Sequence, residues 1–112
     1  MSRLGTPDRG DLVWVQLDPH AGHEQAGRRP ALVLSPAAYN AKTGLALCCP
    51  ITSRVKGYPF EVVLPDGLPV AGVALADQIK NLDWKARRAE IAGVPPLAVV
   101  AEALGKLATL LT

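Results

Sequence analysis

Two adjacent arginines before a proline, Arg28-Arg29-Pro30, and a hydroxyl pair, Thr52-Ser53, are the residues here best suited to gripping a phosphate. A guanidinium offers paired donors in a fixed fork, which matches phosphate oxygens better than an ammonium does. Arg29 directly precedes Pro30, so its backbone is held extended, and it is expected to be the better anchored of the two. An arginine paired with a local carboxylate at a strand edge is the alternative reading. Thr52 closes an apolar run and opens a basic loop, where its hydroxyl could donate to a phosphate oxygen or merely cap a turn. Glu24 is the one carboxylate of a glycine-flanked stretch and a candidate base, against the alternative of a solvated loop glutamate. His20 and His23 lie in the same stretch and could exchange protons near neutral pH. They are read as solvated.

Charge supports a site for an anion in the middle of the chain. The 112 residues carry a net charge of only +2. Residues 28–56, however, hold Arg28, Arg29, Lys42, Arg54 and Lys56 with no acid, a local charge of +5. This makes the middle third a candidate polyanion face, although a solvated run of basic residues would look the same. Metal chemistry is not expected. Cys48 and Cys49 are the only cysteines, and neighbours on a strand point to opposite faces, so they are read as inert thiols rather than a zinc pair or a disulfide.

The elements that must position these residues are mostly short strands in a single domain, residues 1–112. Gly10 to Leu17 is rich in β-branched and aromatic residues and ends at the turn signal Asp18-Pro19. Pro19 to Pro30 reads as a loop. Ala31 to Ser35 and Leu45 to Ile51 are apolar runs consistent with buried strands, and Pro50 requires an edge or a bulge near the end of the second. Ala37 to Lys42 is allowed one helical turn at most, because Gly44 punctuates it. Phe60 to Leu64 and Val70 to Ala76 flank an Asp66-Gly67 turn and read as a hairpin, and Gln78 to Leu82 continues the sheet. Five or six short strands in so few residues predict a small, strongly bent barrel. After Gly93, the spacing of Leu97, Val100, Ala101, Leu104, Leu107, Ala108 and Leu111 predicts one helix, started by Pro95 and Pro96. No run is long enough to span a membrane, and the first ten residues lack the apolar stretch of a signal peptide, so a cytoplasmic protein is expected.

Four segments, Gly10-Asp-Leu-Val-Trp14, Glu24-Gln-Ala-Gly-Arg-Arg-Pro30, Lys56-Gly-Tyr-Pro-Phe-Glu-Val-Val63 and Ala74-Leu-Ala-Asp-Gln78, together resemble the MazF/PemK/Kid toxin family in order and spacing. The resemblance implies a mainly β fold, an SH3-like barrel of the CcdB/MazF type, with a C-terminal α-helix. It also implies a homodimer, a MazE-like antitoxin partner, and metal-independent, sequence-specific cleavage of single-stranded RNA, including mRNA, with no cofactor. Arg29 matches the family's catalytic arginine and Thr52 its catalytic threonine. Glu24 resembles a glutamate of the family's loop, and Arg28 falls where the family varies. Ser53 stands where a second threonine is found, as a neighbour in substrate binding.

Cleaving RNA without a metal requires a proton to leave the ribose 2′-OH, charge on the phosphorane to be stabilised, and the 5′ oxygen to be protonated. Arg29 suits the second task and is a candidate donor for the third. Gln25, Ser53, Lys56, Asp77, Gln78 and Lys80 are the expected RNA contacts: the lysines for backbone charge, Gln78 for a base edge, Asp77 for a base or for holding the adjoining loop. Tyr58 and Trp14 could stack on bases, although Trp14 lies within a strand pattern and is expected to pack. Trp84 could be core or dimer surface. Two rivals share the fold: a CcdB-like gyrase inhibitor, disfavoured because the chain ends Leu110-Leu111-Thr112 without a terminal tryptophan, and a noncatalytic RNA-binding barrel.

Overall fold

The computed structural model describes residues 4–16 and 27–112. Seven strands and two α-helices follow in order: β1 (Leu12–Gln16), β2 (Arg28–Val33), α1 (Ala37–Thr43), β3 (Leu45–Thr52), β4 (Glu61–Val63), β5 (Val73–Leu75), β6 (Lys80–Asp83), β7 (Glu90–Gly93) and α2 (Leu97–Leu111). A short 3-10 turn, Ala76–Gln78, joins β5 to β6. The strands form one antiparallel sheet in the order β4-β5-β3-β2-β1-β7, with β6 also paired to β3. The mainly β architecture and the C-terminal helix are as expected. The ladder is an open path whose ends are β4 and β7.

The central strands read as unbroken apolar runs because both faces of the sheet are covered. Leu12, Leu32, Cys49, Ile51, Val62 and Ala74 face α2 and pack with its Val99, Val100 and Ala103. Their neighbours Val13, Ala31, Val33, Ala46 and Cys48 face the other way, onto Leu82, Trp84 and Ile91. Cys48 and Cys49 thus fall on opposite faces, and both thiols are free and buried. Trp84 belongs to the core: it is 8% exposed, and its indole N–H donates to the carbonyl of Asn40 at 2.9 Å.

Three expectations need correction. Pro50 sits in a central strand, opposite Ala31 of β2. It is tolerated because the other flank of β3 changes partner there, from β6 along Leu45–Cys48 to β5 at Ile51–Thr52, so the missing N–H falls between two ladders. Helix α1 runs seven residues rather than one turn, because Gly44 caps it in the left-handed region at φ 75° instead of preventing it. The buried face of α2 is Val99, Val100 and Ala103 with Leu107 partly buried, whereas Leu97, Leu104 and Leu111 are exposed. The expected stripe mixed these two faces of one helix.

Candidate active site

The N-terminal end of β2 and the C-terminal end of β3 bring the two principal candidates together. Arg29 and Thr52 line one cleft of about 320 Å³ with Trp14, Ser53, Pro69 and Val70. Thr52 also lines a second cleft of about 290 Å³, whose other walls are Arg54, Lys56, Tyr58, Glu61, Leu75 and Gln78. One threonine therefore stands between an arginine on one side and a basic, amide-bearing pocket on the other. Its Oγ1 accepts the backbone N–H of Arg54 at 3.1 Å, which leaves the hydroxyl's own proton available to donate.

The two arginines differ in the opposite sense to that expected. Arg28 is the better anchored: its Nη2 donates to the carbonyl of Trp14 at 3.0 Å and to the Glu90 carboxylate at 2.8 Å, and its side chain is only 17% exposed. Arg29 pairs opposite Val15 on β1 and is exposed, with its Nη1 donating to the carbonyl of Arg28 at 3.0 Å. Arg28 is thus tied to Glu90 and to the β1 backbone, and Arg29 is the arginine that lines the cleft.

Among the expected nucleic-acid contacts, Ser53 lies in the arginine cleft and Lys56 and Gln78 in the adjoining one. Lys80 does not join them, because β6 carries it to a small recess beside Ala31, Cys48, Pro50 and Leu82. Asp77 holds the neighbouring loop: the Tyr58 hydroxyl donates to its Oδ2 at 2.6 Å. That bond to a carboxylate keeps the Tyr58 phenol above its ordinary pKa. Trp14 is partly buried against the α2-facing core and also walls the arginine cleft. Glu24, Gln25, His20 and His23 lie outside the described residues.

Glu61, which the sequence offers only as one letter in a matched segment, lines the basic cleft although it is 7% exposed. Burial pushes both cysteine thiols up to about 12, so neither is a nucleophile at neutral pH. Among the described residues, no three His, Cys, Asp or Glu side chains gather where a metal ion could be held.

Residues 8–111 match the family described as PemK-like, MazF-like toxins of type II toxin-antitoxin systems. The chain belongs to this family. Among its relatives, the endoribonuclease toxin MazF of Escherichia coli K12 is 63% identical over 83 residues, 74% of either chain. The Escherichia coli endoribonuclease PemK is 41% identical over 98% of this chain and 86% of its own. MazF of Deinococcus radiodurans has the same fold, with a TM-score of 0.86 and 61% identity over 96% of this chain and 98% of that one. A MazE-MazF complex from the same organism matches with a TM-score of 0.88 at 59% identity, over 96% and 97% of the two chains. Family membership covers both clefts, and the four segments that carried the resemblance lie within the matched span.

Proposed function

We propose that the chain is a toxin endoribonuclease that cuts single-stranded RNA, mRNA included, without a metal ion. The observation that carries this reading is the shared cleft of Arg29 and Thr52. A phosphodiester entering it meets a guanidinium and a hydroxyl, which together stabilise the charge that grows on the non-bridging oxygens as the phosphorane forms. The ribose 2′ oxygen, relieved of its proton by a base for which Glu24 is the candidate, attacks phosphorus. The P–O5′ bond breaks, and the departing oxygen takes a proton from Arg29, which solvent then reprotonates. The products are a 2′,3′-cyclic phosphate and a 5′-hydroxyl. The adjoining cleft receives the neighbouring nucleotide, with Arg54 and Lys56 against backbone charge and Gln78 against a base edge, while Ser53 meets base or sugar from the arginine cleft. The chain acts as a cytoplasmic homodimer, and a MazE-like antitoxin blocks it by laying an acidic segment along the basic clefts.

The test is incubation of the purified protein with a defined single-stranded RNA in the presence of a strong chelator. Fragments ending in cyclic phosphate and 5′-hydroxyl are expected. Arg29→Ala should lower kcat by on the order of 100- to 1,000-fold while melting like the parent, and Thr52→Ala should cost less but more than Ser53→Ala. A folded Arg29→Ala protein with full activity would remove the assignment. Binding without fragments would make the chain a noncatalytic RNA-binding barrel.

A further inference from the structure

The loop between β3 and β4 carries Arg54, Lys56 and Tyr58 into the basic cleft, yet it has no strand partner to fix its path. Its anchor is a buried carboxylate. Glu61 Oε2 accepts the N–H of Lys56 at 3.0 Å, and Oε1 accepts the N–H of Gly57 at 3.1 Å. The backbone N–H of Glu61 donates to the carbonyl of Tyr58 at 3.0 Å, closing the loop over its own side chain. Gly57, one of the two amide donors, has a φ of 76° in the left-handed region. On the far side, Lys106 of α2 donates to the Glu61 carbonyl at 2.8 Å and pairs with Glu102 at 2.9 Å, so the anchor is itself tied to the helix.

A carboxylate 7% exposed is held only where its oxygens are well supplied with donors. Here the donors are two consecutive backbone amides of a substrate-facing loop. We propose that Glu61 is the positioning residue of the RNA-reading cleft: it fixes the loop that presents Arg54, Lys56 and Tyr58, and so sets affinity and sequence preference rather than the chemical step. This inference rests on the nuclease reading above. Its physical content is that both bonds need a side chain of glutamate length with two acceptor oxygens. Gln keeps the length and one acceptor, Asp keeps both oxygens but loses the reach, and Ala loses everything and leaves two amides unsatisfied.

The experiment compares Glu61→Gln, Glu61→Asp and Glu61→Ala with the parent in steady-state cleavage of a fluorescent single-stranded RNA, and sequences the ends cut from a mixed RNA pool. For Glu61→Gln, KM is expected to rise about tenfold while kcat falls less than about threefold, with a broader set of cut sequences. Glu61→Asp should be no better than Glu61→Gln, which separates reach from charge. If Glu61→Ala does not fold, Glu61→Gln decides. A folded Glu61→Gln protein with the parent's KM and cut sequences, or one in which kcat alone falls at every site equally, overturns the proposal. A parallel arm measures anisotropy of the same RNA on Arg29→Ala with and without Glu61→Gln, where about tenfold weaker binding is expected. Should the parent not cleave at all, the nuclease reading fails. The anisotropy arm then still judges Glu61, and unchanged or absent binding there overturns its role.

Discussion

Arg28 and Arg29 are chemically identical neighbours in different surroundings, and Arg28 has a partner far along the chain. Glu90 is 62 residues from Arg28 in sequence, and β7 places it beside Trp14 of β1, within 2.8 Å of the Arg28 guanidinium. No local pattern could reveal that pairing. Pro30 constrains the backbone of Arg29 but says nothing about which side chain finds a carboxylate. Arg28→Ala should therefore destabilise the fold by about 1–3 kcal/mol, because it removes the charge-assisted bonds to Glu90 and to the Trp14 carbonyl. Urea unfolding measures that loss, and cleavage per folded molecule should stay within a few-fold of the parent. A large loss of kcat at unchanged stability would mean that the two arginines had been assigned the wrong way round.

At the scale of elements, Thr52 is placed by a glycine on the neighbouring connection. Gly72 has φ 120°, and a Cβ built there would lie 2.1 Å from the Thr52 carbonyl oxygen. β5 begins at the next residue and pairs Val73 with Thr52, so the hairpin end packs onto the backbone that carries the hydroxyl. Gly72→Ala combines a strained φ with a backbone clash and should cost about 2–4 kcal/mol by thermal or urea unfolding. Below its lowered melting point it should cleave about tenfold more slowly, since displacing the Thr52 hydroxyl proposed to act on the phosphate by a fraction of an ångström is enough. Gly105→Ala, where nothing lies within 4 Å, is the control and should gain about 0.5–1 kcal/mol as a helical glycine replaced. The hairpin that frames Gly72 was legible from its Asp66-Gly67 turn, and the strands were legible from their apolar runs. The partner switch beside Pro50 and the rotation of α2 were not, because each depends on which element packs on which face. Glu61 escaped notice for the same reason: a glutamate becomes an anchor only once a loop folds over it.

At the scale of the whole molecule, the +5 of residues 28–56 overstates the charge available to a substrate. Arg28 is paired with Glu90, and Lys42, in the last turn of α1, lines neither cleft. The basic side chains that line the clefts are Arg29, Arg54 and Lys56. Each phosphate neutralised on a single strand releases counterions, so log affinity should fall with log salt at a slope of about −0.7 per contact, or about −1.4 for the two contacts, Arg54 and Lys56, that Arg29→Ala protein keeps. Lys56→Ala should make the slope shallower by about 0.7 and weaken all sequences alike, because a lysine meets the backbone rather than a base. Lys42→Ala should leave the slope where it was, although it removes the same formal charge from the same third of the chain. Anisotropy of a short single-stranded RNA on Arg29→Ala protein, titrated at several salt concentrations, separates the two. Equal slopes for Lys42→Ala and Lys56→Ala would mean that the strand follows net charge over a broad surface and not the two clefts that meet at Thr52.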